Sequence, residues 1–404
     1  MMISFATALL ATILTGNAAA AGSAAQSTEN FDDFRSEFRQ EAIGQGIDPA
    51  VYDREMRAAT PLAVVLERNS NQPEFSRPIW AYLDSAVSDT RIANGIAATQ
   101  RQAAQLDAIE AEYGVDKEII GAIWGLESSY GAILGDYDII SATATLAYQG
   151  RRQSYGRSQL IGALKILQNG YADRSQLKGS WAGAMGQTQF IPTTYLSYAV
   201  DEDGDGKRDL WGSYGDVFAS TANYLSRSGY EVNAPWGFEV RLPQDFDYAT
   251  ANLQTKRSVG EWLSRGVEAP AARLGKTVDL NTTASIIVPA GAAGPAFMVF
   301  DNFRAIMRYN NSTAYALGIG LLSDAIAGRQ SALSTQWPRD DRSLSLTERK
   351  SLQQTLKERG YDPGPVDGII GAGTKAALRA WQRDQGLPAD GYASARTLSV
   401  LSMN

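Results

Sequence analysis

No cysteine and no histidine occurs anywhere in the 404 residues. The chain must hold its fold without disulfides and without zinc bound through thiolate or imidazole. A packed apolar core has to do that work, and with 44% hydrophobic and 20% charged residues the composition supplies one. The same absences narrow the chemistry. A Ser-His-Asp triad and a cysteine nucleophile are excluded, so proton transfer falls to Glu, Asp, Lys, Tyr or water. A metal would need oxygen ligands, which points to calcium or magnesium. A net charge of −7 argues against nucleic acid as the main partner. The length suggests two or three domains.

Residues 3–14, ISFATALLATIL, form an apolar run of signal-peptide length, and an alanine-rich stretch from Ala18 to Ala21 follows. Residues 1–22 are therefore expected to be a cleaved secretory signal, which gives a periplasmic, exported protein, with a short buried helix or a membrane anchor too short to span as the alternative. The charge-poor start Met1-Met2 is the atypical part of that pattern. Without cysteine there is no lipid anchor on an N-terminal thiol.

Phe31, Phe34 and Phe38 recur at helical spacing, and Asp48-Pro49 reads as a helix start, so 31–68 is expected to be helical. Asn71 to Pro78 reads as a break, 88–111 as helix, and 116–227 as helices alternating with Gly-rich turns. Residues 231–298 change character. Glu239 to Leu242, Ser285 to Val288 and Ala296 to Phe300 read as strands. Helix returns over 301–326, and 331–342 reads as a polar linker. The tail 343–404 predicts three helices: one bearing Leu352 and Leu356 and closed by Gly360, one capped by Thr374 and bearing Trp381, and one over Ser394 to Leu401.

Four stretches carry candidate chemistry. In the run from Gly114 to Gly131, Ile119, Ile120, Ile123 and Trp124 form an apolar stripe whose next position is Glu127. A glutamate buried there without a cation holds its proton, as a general acid for glycosidic cleavage must. The alternative is a helix-end glutamate reaching solvent. The run Gly179 to Pro192 alternates small residues with amides, hydroxyls and aromatics, which suits a neutral sugar or a tight packing loop. Asp201, Asp203 and Asp205, with Gly206 next, open a calcium loop or a solvated acidic turn. Lys207 would supply a carbonyl. Gly212 stands where a bidentate Glu is usual, which leaves Asp216 to close a longer loop. Finally, Tyr309 to Tyr315 sets aromatics beside amides, as in many sugar sites or at a helix start.

In this order and spacing the motifs resemble the B-type family of lytic murein transglycosylases over about residues 31–330, and the tail resembles a three-helix peptidoglycan-binding module. The resemblance implies a mainly α fold: a lysozyme-like helical core, an added helical subdomain, a small β subdomain and the C-terminal module. It implies a catalytic role for Glu127, in the pattern Gly125, Glu127, Ser128, Tyr130, Gly131. It implies substrate contacts from Ser180, Gln189, Tyr224, Tyr309, Asn310 and Tyr315. It also implies a structural calcium held by Asp201, Asp203, Asp205, Lys207 and Asp216, in a loop one residue longer here, and no cofactor for the chemistry. The activity implied is cleavage of the β-1,4 bond between N-acetylmuramic acid and N-acetylglucosamine, leaving 1,6-anhydromuramic ends. Glycan strands are the implied partner, with wall-synthesis or wall-degrading proteins beside them. A lysozyme-like muramidase and a non-catalytic wall-binding protein are the competing readings.

Overall fold

The computed structural model describes residues 20–70, 77–149, 152–274, 278–329 and 333–403. Among them are 17 α-helices and six strands of two to five residues, so the chain is mainly α. The expected signal run 3–14 and most of the expected break at 71–78 lie outside the described residues. The chain divides into two compact units, one of residues 4–72 with 94–227 and one of 73–93 with 228–404.

In the first unit, Phe31, Phe34 and Phe38 are buried on one side of the helix Ala20–Gly44. Their rings continue onto Tyr148, which Phe31 meets edge-on at 5.4 Å. The helix Pro49–Arg57 starts where the sequence indicates, because the Asp48 carboxylate accepts the Ala50 N–H at 2.7 Å. The helices Ile139–Tyr148 and Gln153–Gln168 pack side by side. Gly156 permits this, since a Cβ there would lie 2.2 Å from the Ala147 nitrogen. Arg174 ties distant segments together, bonding the buried Glu55 at 2.8 Å and Asp138 at 3.0 Å. Asp138 caps the helix Ile139–Tyr148 by accepting the Ser141 N–H. It also belongs to a two-stranded ladder, Tyr137–Asp138 against Lys178–Gly179. That ladder delivers the chain to Ser180.

The second unit holds an antiparallel sheet in the order Gly237–Val240, Ala296–Val299, Thr283–Ile287, Arg257–Ser258. Its buried face packs on Trp262, whose indole N–H donates to the Ala284 carbonyl at 3.1 Å. The strand expected at Glu239 to Leu242 lies two residues earlier. Register sets it, since Val240 pairs with Ala296, where the partner strand begins. The helix expected over 301–326 is two helices, Asp301–Tyr309 and Thr313–Ile326, because Ser312 breaks the run and caps the second.

The tail forms the three expected helices, Leu346–Glu358, Ala372–Asp384 and Ala395–Met403, around Leu352, Leu356, Leu378, Trp381 and Leu401. Thr374 is not the cap of the second. That helix starts after Gly371, and the Thr374 hydroxyl, inside the first turn, donates to the Pro363 carbonyl instead. The expected linker has neither helix nor strand among its described residues, yet side chains pin it. Trp337 lies 6.4 Å from the rings of both Trp80 and Phe297, and Arg339 forks onto Asp84 at 2.7 and 2.8 Å.

One acid-sensitive contact secures the first helix of the tail. Glu348 closes a capping box with Ser345 and takes both arms of Arg342. Arg342 above all, then the Ser345 N–H, holds its carboxyl down to about 2. A carboxyl depressed on folding adds stability above its unfolded value, and that share is lost as pH falls towards about 2. The effect is small, because the pair is largely solvated. Glu348→Gln is expected to flatten the melting-temperature curve between about pH 4.5 and 2. Superimposable curves would refute this.

Candidate active site

Glu127 lies in the last turn of the helix Lys117–Ser128 and is 6% exposed. Ile119, Ile120, Ile123 and Trp124 are buried on the same helix, so the glutamate continues a buried stripe, and the solvent-reaching alternative fails. Asp116 holds the N-cap position but makes no side-chain capping bond. The helix stops sharply beyond Glu127. Ser129 and Tyr130 take left-handed φ of 52° and 62°, and Gly131 follows at 85°. Left-handed residues other than glycine cost about 1–3 kcal/mol each and persist only where the surroundings impose them.

Those surroundings are visible. The Tyr130 ring stands edge-on to Trp124 at 5.5 Å. It also lies over Gly125, where a Cβ would be 2.5 Å from the phenol oxygen. The Trp124 indole N–H donates to Gln187 Oε1 at 2.7 Å, and Gln187 Nε2 donates to the Trp211 carbonyl at 2.9 Å. Ser128 Oγ accepts the Gly131 N–H at 2.8 Å. The residues on either side of Glu127 in the chain are thus held by hydrogen bonds, Trp124 through Gln187 and Ser128 through Gly131.

The loop carrying Ser180 and Gln189 interlocks with this turn. Ser180 follows the strand Lys178–Gly179, and its Oγ accepts the Ala184 N–H at 3.0 Å, which leaves the hydroxyl proton to donate. Gln189, at a left-handed φ of 54°, donates from Nε2 to the Leu134 carbonyl at 3.1 Å and to that of Gly186 at 3.0 Å. It joins the turn after Glu127 to the second motif, a holding role that its amide alone did not reveal. Gly135 sits against the Gly179 carbonyl, where a Cβ would come within 2.3 Å. Tyr224 reaches the same loop through Phe190, with rings 6.0 Å apart, and packs on Tyr198 at 4.7 Å.

The other expected substrate residues are gathered in the second unit. The Tyr309 and Tyr315 rings are parallel, 6.5 Å apart. Between them Asn310 is 6% exposed, and its Oδ1 is buried without a hydrogen-bond partner among the described residues.

In the acidic loop, Asp201, Asp203 and Asp205 each bring a carboxylate oxygen within 4.8 Å of the others. Asp201 Oδ1 is buried without a donor, as a cation ligand would be. Lys207 turns its ammonium to Asp173 at 3.6 Å. Asp216 stands outside the cluster. It is fully buried, and its oxygens accept the N–H groups of Glu202 at 2.9 Å and Asp209 at 2.6 Å. Burial raises its carboxyl above the ordinary range against the pull of those bonds.

The sequence reading passed over Gln187 as a functional residue. The signal was present, since it shares the Gly186 to Phe190 run with Gln189.

Comparison with known proteins adds the following. A family model described as a transglycosylase SLT domain matches residues 30–324, and one described as a putative peptidoglycan binding domain matches 345–401. The membrane-bound lytic murein transglycosylase B of Escherichia coli is 33% identical over 254 residues, covering 61% of this chain and 66% of that protein. The chain thus spans just under two thirds of that relative's length. The crystal structure of SltB3 from Pseudomonas aeruginosa with NAG-NAM-pentapeptide is 49% identical and covers 92% of this chain and 99% of that one, at a TM-score of 0.86. Its complex with NAG-anhNAM-pentapeptide matches equally. The Escherichia coli lytic transglycosylase Slt35 in complex with calcium is 29% identical and covers 74% and 92%, at 0.62.

Proposed function

The chain belongs to the transglycosylase SLT domain family, and from that premise we propose that it is a lytic transglycosylase cutting the β-1,4 bond between N-acetylmuramic acid and N-acetylglucosamine in peptidoglycan. The observation that carries this is Glu127, buried at the end of an apolar helix between residues held by hydrogen bonds. The negative end of the helix gives an ionised carboxylate there no help. Glu127 protonates the leaving oxygen. The substrate's own N-acetyl group stabilises C1 by attack, so no second carboxylate is needed. Glu127, now ionised, takes the proton of the C6 hydroxyl, which closes on C1 to give the 1,6-anhydro end without consuming water. Intramolecular closure profits from proximity when water is excluded. Ser180 donates its hydroxyl proton to the sugar. Tyr224, Tyr309, Asn310 and Tyr315 are sugar contacts in this reading, and Gln189 offers its Oε1 to the sugar while its Nε2 holds the Glu127 turn.

The muramidase alternative gives reducing ends in place of anhydro ends. Mass spectrometry of muropeptides released from sacculi separates the two, and reducing ends alone would defeat the lyase reading. The complex of SltB3 with an anhydro sugar supports the lyase.

The stretch 31–330 serves as the catalytic part, 331–342 as its connection and 343–404 as the wall-binding module. The apolar run 3–14 with the alanines after it supports export to the periplasm, where wall-synthesis or wall-degrading proteins are the expected partners. No described helix is long and apolar enough to cross a membrane.

Asp201, Asp203 and Asp205 fit a structural calcium, with the Lys207 carbonyl beside them; Asp216, outside that cluster and holding the Glu202 and Asp209 N–H groups, is the further ligand of a longer loop. Calcium at a hundred times its dissociation constant is expected to stabilise the folded chain by about 2.7 kcal/mol. A chelator should reverse the gain in melting temperature, and Asp201→Asn with Asp203→Asn should remove it. An unchanged melting curve, with no heat of calcium binding, would dispose of the site.

A further inference from the structure

The C-terminal module is built twice. Leu352-Gln353 and Trp381-Gln382 each precede an Asp-Gly pair, and both pairs open the same pattern, Asp-Gly, five residues, Thr, three residues, Leu: Asp367 to Leu378 and Asp390 to Leu401. The hydrogen bonds repeat as well. Gln353 Oε1 accepts the Gly368 N–H at 2.7 Å and its Nε2 donates to Asp367 Oδ1 at 3.2 Å. Gln382 Oε1 accepts the Gly391 N–H at 2.8 Å and its Nε2 donates to Asp390 Oδ1 at 2.7 Å. In each loop that Oδ1 also accepts the N–H two residues on, from Ile369 at 2.8 Å and from Tyr392 at 2.9 Å. Both glycines have positive φ, 81° and 68°.

The two loops differ in what they meet. In the second, the remaining carboxylate oxygen, Asp390 Oδ2, accepts the Ala292 N–H at 2.8 Å. Tyr392 lies on Gly291, where a Cβ would approach its Cβ to 2.7 Å. That loop is closed over a Gly-Ala backbone turn of the same chain. In the first, no donor among the described residues reaches Asp367 Oδ2, and Ile369, in the place of Tyr392, is 68% exposed. Leu346, 37% exposed, packs on Gly368 and extends the apolar surface. The carboxylate is held below its ordinary range by the Ile369 N–H and Gln353, so it is a charged acceptor at neutral pH.

We infer that the Asp367–Gly368–Ile369 loop, with Leu346, is a docking site for an alanine-rich peptide, the stem peptide of the wall. The inference rests on the wall-degrading reading and deepens it, naming peptide and not glycan as what the module grips. The occupied loop shows the required chemistry: a backbone N–H for the free carboxylate oxygen, and a residue with at most a methyl group against the apolar side chain. Stem peptides, with their alanine amides, supply both. One loop fastens the module to its own chain and the other fastens it to the wall.

The test uses the full chain carrying Glu127→Gln, so that the wall survives, and measures sedimentation with intact sacculi and with sacculi whose stems an amidase has removed. Adding Ile369→Lys should weaken retention on intact sacculi roughly tenfold, the loss of one buried aliphatic contact. Asp367→Asn, which turns an amide N–H towards the incoming donor, should weaken it in the same direction. Neither should change the melting temperature by more than a degree or so. On stripped sacculi the variants and their parent should bind alike. Full retention of both variants on intact sacculi would overturn the inference. So would an equal loss on stripped sacculi, which would make glycan the ligand, or a dimer by light scattering that Ile369→Lys dissolves, which would make a second copy the occupant. The chain with both Glu127 and Ile369 intact should release anhydro muropeptides from soluble strands. If even the unsubstituted chain releases none, the functional reading fails while the binding result stands by itself.

Discussion

Glu127→Gln is expected to lower the release of muropeptides from sacculi about 10³-fold, with no fall in melting temperature. Glutamine matches glutamate in shape and keeps the carbonyl acceptor, so the packing of the last turn survives. What it lacks is a proton to give to the leaving oxygen and a base to receive the C6 proton. One side chain serves both steps, so both are lost together. A residue only 6% exposed, at the end of an apolar stripe, tolerates the neutral amide at least as well as the acid. Turnover within tenfold of the parent, from a chain that melts normally, would remove Glu127 from the chemistry and with it the mechanism.

Gly135→Ala is expected to cost about 3 kcal/mol and to depress turnover at least tenfold. Two effects add. The residue has φ +85°, where alanine is strained, and its new methyl would lie 2.3 Å from the Gly179 carbonyl oxygen and 2.9 Å from the Ser180 nitrogen. These are backbone atoms of a paired strand and cannot swing aside as a side chain would. Relief comes only by prising the turn after Glu127 away from the loop that carries Ser180. Gly46→Ala is the control: its φ is +87°, but nothing lies within 4 Å, so it should show the strain alone, about 1 kcal/mol, with turnover unchanged. Denaturant melts and muropeptide release measure both. Equal effects at the two positions would mean that the contact between the loops is not what positions the site.

Periodic apolar residues made much of the fold readable. Phe31, Phe34 and Phe38, the stripe ending at Glu127, and the Leu352, Leu356 and Trp381 core of the tail all lie where a 3.6-residue repeat places them. Chain terminators were readable for a similar reason, since Asp48-Pro49 and Gly360 act locally. What escaped depends on distant partners. The strands Tyr137–Asp138 and Lys178–Gly179 are two residues each, too short to alternate, and exist only because they pair. Thr374 looked like a cap because the run that follows is helical, but the Pro363 carbonyl claims its hydroxyl. Gln189 is expected to face a sugar, and its Nε2 is spent on the Leu134 and Gly186 carbonyls, which leaves its Oε1 for that role. An amide in a sequence does not disclose whether substrate or backbone will use it.

Arg174 joins Glu55 to Asp138, and Asp138 lies in the ladder that leads to Ser180. Three residues far apart in the chain thus share one fate. Losing Arg174 leaves Glu55 to Arg54 alone and releases Asp138, and losing Asp138 also uncaps the helix Ile139–Tyr148. In natural relatives these positions should drift as a trio, and a lineage that altered one alone would leave few descendants.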